Sequence, residues 1–167
     1  MSDLLNKTDA ASAEKDEQQY VTFLVGDETY GVPVLKVQEI IGMTDITHVP
    51  NSLEFMKGVI NLRGTVVPVV DMRMKFEMNV RDYDNFTVII IVEIHGKLIG
   101  MIVDTVSDVL DIATKDIQET PHFSAKIETD YIDSIGQKDD LLVIILDVDN
   151  ILTSQELEEL SETNKKR

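Results

Sequence analysis

Ile102-Val103-Asp104-Thr105-Val106 carries an apolar-apolar-Asp-Thr step, from which two copies of a β unit can build a shared carboxylate dyad for acid hydrolysis. The chemistry fails on two counts. Val106 stands where such a loop needs glycine, and the matching position of the other copy is Leu35, not an acid. Asp71 and Asp147 also match each other, but each precedes a helical turn, where an aspartate serves as an N-cap. His48, His95 and His122 are far apart, with no acidic or histidine partner at ligand spacing, so no metal site is expected. Gly26-Asp27-Glu28-Thr29-Tyr30-Gly31 is too acidic to cradle phosphate, and no glycine-rich loop precedes Lys-Ser or Lys-Thr. Nothing assembles a nucleophile, a base and an oxyanion site, so neither catalysis nor a cofactor is expected. What remains is Arg63, between two apolar runs in 58–71. It is either a solvated turn arginine or a two-pronged donor offered to a partner.

The elements around Arg63 follow from the runs. Residues 59–62 and 65–70 are rich in β-branched side chains, and Gly64 supplies the positive φ of a tight turn, which puts Arg63 at a hairpin tip. Pro68 cannot donate to a ladder, so its strand is expected at a sheet edge or with a bulge there. Three more hairpins are expected: 20–25 with 29–34, 87–94 with 98–104 around His95-Gly96-Lys97, and 131–136 with 141–148. Residues 35–41 read as a short helix running into a strand, 46–49 as an extended piece, and 52–56 as a helical turn. Val106, Val109 and Leu110 fit a helix or a strand. Asp71 should cap a turn at 72–76. Thr153 and Glu156 match a capping box opening a last helix, with Leu152, Leu157 and Leu160 toward the body.

Two segments repeat. Residues 30–41 match 99–110 at the glycine, both valines, the acid and the closing apolar pair, and 67–72 match 143–148. The unit is about seventy residues, which suggests paired small β barrels rather than a solenoid. The halves should pack together, with a groove along the seam and the polar stretch near 79–86 as their boundary.

Fifteen basic against thirty-one acidic residues give a formal charge of −16, which disfavours nucleic acid and anionic membrane surfaces. There is no cysteine, hence no disulfide framework or thiolate chemistry. The start, Met1-Ser2-Asp3-Leu4-Leu5-Asn6-Lys7, lacks a signal-peptide pattern, and a cytoplasmic protein is expected. Residues 1–18 read as a disordered acidic tail, 19–160 as the folded domain and 161–167 as a frayed end.

Gly26-Asp27-Glu28-Thr29-Tyr30-Gly31, Lys36-Val37-Gln38-Glu39-Ile40, Lys57 to Gly64 with its Asn-Leu-Arg-Gly, Pro68-Val69-Val70-Asp71, and Val106-Ser107-Asp108-Val109 together resemble the CheW-type chemotaxis coupling proteins. The match covers 20–160 in order. It implies a mainly β fold of two packed SH3-like five-stranded β-barrel subdomains with short helical turns and a C-terminal helix. The implied role is a non-enzymatic adaptor joining the cytoplasmic tips of methyl-accepting chemoreceptors to the regulatory domain of the histidine kinase CheA, at receptor arrays beneath the inner membrane. Carried over by position, Val34, Val37, Glu39, Gly58, Arg63, Val88, Ile99 and Val106 fall on a receptor-binding surface, with Glu39 and Arg63 as opposite charges on its rim. Ile46, Thr47 and Phe123 fall on kinase contacts. Gln118 stands where a basic residue is common. Flat barrel faces and an edge at Pro68 would permit ring-forming self-association. The competing readings are a standalone small-ligand-binding double barrel that senses a metabolite, a hydrolase using Asp71, Asp104 or Asp147, and an adaptor of a different receptor-kinase pathway.

Overall fold

The computed structural model describes residues 17–50, 52–119 and 131–165, with side chains as far as Glu159. Most of the expected tail therefore lies outside the described residues, but Glu17 and Gln18 already belong to a strand. The first sheet takes β1 (Glu17–Val25) and β2 (Glu28–Pro33) from the start of the chain, and β8 (Thr105–Ala113), β9 (Ile117–Glu119), β10 (Ile132–Lys138) and β11 (Leu141–Leu146) from its second half. The second takes β3 (Val37–Gly42), β4 (Met56–Leu62), β5 (Thr65–Asp71), β6 (Val88–Ile94) and β7 (Lys97–Val103). Strand orders are β8-β1-β2-β11-β10-β9 and β3-β6-β7-β5-β4.

These are the same order. Each sheet sets an edge strand against a hairpin, pairs the hairpin in parallel with the next strand (β2 with β11, β7 with β5), and ends on a second hairpin. Even the bulges coincide, at Met56/Gly58 in β4 and Ile132/Ser134 in β10. The duplication is therefore structural, and it is interleaved: β3 leaves its own copy to pair with β6, and β8 pairs with β1. The stretch 79–86 joins β5 and its helix to β6 inside the second sheet, so the two sheets do not divide the chain there. The second sheet has the expected five strands, and the first adds the three-residue β9.

Alternation along the strands makes three cores. Ile89 and Ile91 face the second sheet's own interior with Val67 and Val69, while Ile90, Val92 and Ile94 turn to the seam. Val143 and Ile145 likewise line the first sheet's interior with Ile112. The seam is filled rather than grooved: Phe23, Val32, Met72, Met101 and Leu146 pack there. Phe23, Tyr30, Phe76 and Tyr131 stack across it with centroids 6.0, 4.9 and 5.3 Å apart. Burial, with Glu28 and Tyr131 nearby, pushes the Tyr30 phenol up to about 12.

Of the two alternatives expected at Pro68, the edge is absent and the bulge lies alongside, where β4 shifts register between Met56 and Gly58 next to the Val59–Pro68 pair. β5 lies inside its sheet, between β7 and β4, so no edge is open there. The proline is tolerated because the N–H and C=O of its partner Val59 turn away to Thr47, at 2.9 and 2.8 Å, and the ladder to β7 starts one residue later at Val69. The expected turn through Met56 is present, closed by the Met56 N–H on the Leu53 carbonyl at 3.0 Å, but Ser52 does not cap it: its hydroxyl donates back to the Val49 carbonyl at 2.8 Å. Residues 35–41 resolve into a 3-10 turn, Val34–Lys36, followed by β3, and Val106 to Leu110 lie in β8. Asp71 caps α1 (Met72–Lys75) by accepting from the N–H groups of Arg73 and Met74. Asp147 makes no such cap; its carboxylate accepts from Asn150 Nδ2 at 2.6 Å instead. The capping box of α2 (Ser154–Lys165) forms in both directions between Thr153 and Glu156, with Leu152 and Leu157 buried.

Candidate functional site

Arg63 and Gly64 are the central residues of the β4–β5 turn, both with positive φ, 51° and 90°. Such a pair matches the twist of the flanking strands. Asn61 Oδ1 accepts from Gly64 N at 2.7 Å and fixes the turn. From this tip the Arg63 guanidinium reaches both carboxylate oxygens of Glu39, with Nη1 to Oε2 at 3.2 Å. Glu39 sits on β3, the opposite edge strand of the same sheet, so the fork ties the two edges together. The hydrogen bond from Arg63 holds the Glu39 carboxyl below its usual range, and the same bond raises the guanidinium. The two rim charges are thus each other's partners. The arginine side chain remains 72% exposed.

Around this fork the sheet register places Val37, Val92 and Ile99 in one row across β3, β6 and β7. Val34, Val37, Val88 and Val106 are half-buried on the margin of the seam core, each with part of its surface open. Ile99, at 2% exposure, is a support beneath that margin. Val88 pairs with Gly42 and Val103 at the far end of the sheet, four residues and about 13 Å along β6 from Val92. The eight residues therefore do not form one tight cluster. Val34, Val37, Glu39, Arg63 and Ile99 gather toward the Arg63 end, and Val88 lies toward the other.

Gly58 belongs elsewhere. A Cβ on it would lie 2.1 Å from the Thr47 carbonyl oxygen and 2.8 Å from Ile46 Cγ2, so the notch under the Thr47–Val59 bridge requires glycine. It sits beneath Ile46 and Thr47, of which Thr47 is exposed and Ile46 packs on the second sheet's interior. Phe123 lies outside the described residues. Gln118 is exposed on β9, the first sheet's edge.

The carboxylates weighed for hydrolysis are committed to structure. Asp104 accepts from Arg73 Nε at 2.9 Å, from Arg73 Nη2 at 2.7 Å and from Gly26 N at 2.9 Å. Burial pushes its carboxyl up, but Arg73, the Gly26 N–H and Arg81 outweigh burial and hold it below the usual range. Asp71 holds its helix cap on one oxygen and accepts from the Tyr83 hydroxyl at 2.7 Å on the other. Burial, reinforced by that bond, raises the Tyr83 phenol. The Arg73–Asp104 clasp has no local signature in the sequence, because its partners lie 31 residues apart. Among the described residues no His, Asp or Glu cluster is placed to hold a metal ion, and no helix is long and apolar enough to cross a membrane.

Two like β subdomains, a polar fork at one sheet end and acids spent on clasps and caps define the class, a duplicated β protein. The CheW-like domain family model matches residues 19–156. The chain is 38% identical over 140 residues to chemotaxis protein CheW of Klebsiella aerogenes, covering 84% of each, and 31% identical over 158 residues to that of Helicobacter pylori, covering 91% of this chain and 95% of the relative. The crystal structure of the scaffolding protein TtCheW from Thermoanaerobacter tengcongensis is similar with a TM-score of 0.77 and 33% identity, over 83% of this chain and 94% of that one. The chain belongs to the CheW-like family and is a non-enzymatic adaptor of chemotaxis.

Proposed function

We propose that this adaptor couples the cytoplasmic tips of methyl-accepting chemoreceptors to the regulatory domain of the kinase CheA, in the cytoplasm at receptor arrays beneath the inner membrane. The observation that carries the reading is the Arg63–Glu39 fork, an exposed guanidinium held in one direction beside the half-buried valines Val34 and Val37. An apolar margin with a fixed charged group suits a helical hairpin laid along it, with Val88 and Val106 meeting it further on. Ile99 and Gly58 act as supports under the receptor and kinase surfaces. Ile46 and Thr47, beside the Gly58 notch, form the main kinase contact, and Phe123 belongs to a second one. A small-ligand sensor is not favoured, because the family consists of chemotaxis adaptors.

The test is an amide chemical-shift map recorded as a receptor tip fragment, then the CheA regulatory domain, is added. Two separate patches are expected, the first around Val37, Glu39 and Arg63 and the second around Thr47. Arg63→Ala should lower receptor affinity by on the order of tenfold while thermal unfolding barely moves. Competition of both macromolecules for one patch would overturn the bridging role.

A further inference from the structure

Leu35 is 94% exposed, the most exposed large apolar side chain among the described residues. It is not presented loosely. Pro33, with φ −57°, leads into the 3-10 turn Val34–Lys36, and Lys36 Nζ is held by both oxygens of Asp149, at 3.0 and 3.3 Å. The turn is thus pinned before and after the leucine, and Leu35 stands on a crest between two clefts. One, of about 430 Å³, has Glu93, His95 and Asp149 along its wall. The other, of about 730 Å³, continues over Val34 and is edged by Glu17 and Asp111. Among the described residues lining the two clefts, Lys36 carries the one ammonium, and it is paired with Asp149. The rims are acidic on both sides, as is the chain as a whole at −16.

Resting on the receptor reading above, we infer that Leu35 is the central apolar anchor of that surface, a knob entering a hole between the side chains of a partner helix whose lysines and arginines meet the carboxylate rims. A rigidly held leucine loses little freedom on docking, and it is large enough to fill the space between four side chains of a facing helix. Carboxylates on both flanks favour a basic occupant and steer it to the crest. The surface is continuous with Val34 and reaches Val37 through the same turn, so one helix can touch all three. In the duplicated half the matching residue is Asp104, withdrawn into the Arg73 clasp. The exposed leucine is thus a property of one copy and not a requirement of the fold.

The experiment titrates a soluble chemoreceptor signalling-tip fragment into the full chain, its Leu35→Ala and Arg63→Ala variants, and a Glu93→Gln/Asp111→Asn double variant, at low and high salt. Leu35→Ala should weaken binding by on the order of tenfold or more with an unchanged melting temperature. The double variant should bind a few-fold more weakly, with a shallower salt dependence. Wild-type affinity in Leu35→Ala with a loss in Arg63→Ala overturns the inference and leaves the receptor reading standing. Wild-type affinity in both overturns the two together. A loss in Leu35→Ala with no change in the double variant removes the basic helix as the occupant.

Discussion

The β4–β5 turn of the second sheet is Arg63-Gly64, and its fork closes on Glu39 of the opposite edge strand. The β10–β11 turn of the first sheet occupies the matching place, with Asp139 at φ 54° where Arg63 has 51°. The residue matched to Glu39, on β8, is Asp108. Backbone, strand order and bulge are shared, while two acids replace the arginine and its acid. The first sheet keeps its topology without a fork, so the fold does not need one. An ion pair with its arginine 72% exposed is also a weak stabiliser. What the fork does is hold a guanidinium in a fixed direction at a sheet end, which the proposed receptor contact would use. The crossovers differ in the opposite sense: Asp104 is clasped between the sheets, and its counterpart Leu35 stands in solvent.

Exchanging matched residues of the shared bulge puts the comparison under the greatest load. Gly58 and Ser134 occupy the same place after the register shifts of β4 and β10. Ser134 is accepted with a buried side chain, whereas Gly58 has φ 151° and the Thr47 carbonyl where a Cβ would go. Gly58→Ser should therefore cost roughly 3 kcal/mol or more, or prevent folding, while Ser134→Gly costs about 1 kcal/mol. Equal losses in urea denaturation would mean that the bulges are equivalent and that the Thr47 bridge is not what constrains Gly58.

Asp104→Asn tests the clasp. Removing one charge from a mostly buried pair leaves Arg73 without its counter-ion, and a loss of about 2 to 3 kcal/mol is expected. The pH dependence has a definite sign. Because the folded-state carboxyl is held low, its contribution is complete above about pH 4 and fades as acid takes the protein through the folded value. Wild-type stability should then fall more steeply than that of Asp104→Asn between pH 5 and strong acid (about pH 2). Parallel curves would show that the clasp contributes nothing through ionisation. Leu35→Asn, at the matching position, should leave stability unchanged.

The hairpins, the capping box, the Asp71 cap and the duplication were legible in the sequence because each depends on neighbours a few residues apart or on a repeated pattern. Gly31 and Gly100 reveal why the repeat could be read: a Cβ at either would press on the strand alongside, 2.9 Å from Val143 Cγ1 and 2.8 Å from Ile89 Cγ2. The interleaving of the copies was not legible, since nothing local distinguishes β3 pairing with β6 from β3 pairing within its own copy. The edge alternative at Pro68 fails for the same reason. The proline's tolerance depends on Val59 bonding to Thr47, twelve residues away, which composition does not show. Of the candidate site, the opposite charges of Glu39 and Arg63 on one rim were legible, but not that they hold each other, because the two lie 24 residues apart.

The smallest expected difference separates Asp71 from Asp147, matched acids at the ends of β5 and β11. Both precede a helical turn, and the sequence assigns both the same cap. In the structure Asp71 is buried and holds three groups, the N–H of Arg73 at 2.9 Å, the N–H of Met74 at 3.3 Å and the Tyr83 hydroxyl at 2.7 Å. Asp147 leads into a 3-10 turn and is satisfied by a side-chain amide three residues on. Asp71→Ala should thus cost about 1 to 2 kcal/mol, the loss of a cap together with an orphaned phenol. Asp147→Ala should stay within about 0.5 kcal/mol, because Asn150 can turn to water. Tyr83→Phe divides the larger loss: if it costs as much as Asp71→Ala, the tie to the connector outweighs the cap, and if it costs nothing, the cap is the whole of it. Equal losses for the two aspartates in chemical denaturation would restore the symmetry that the sequence implies and the hydrogen bonds deny.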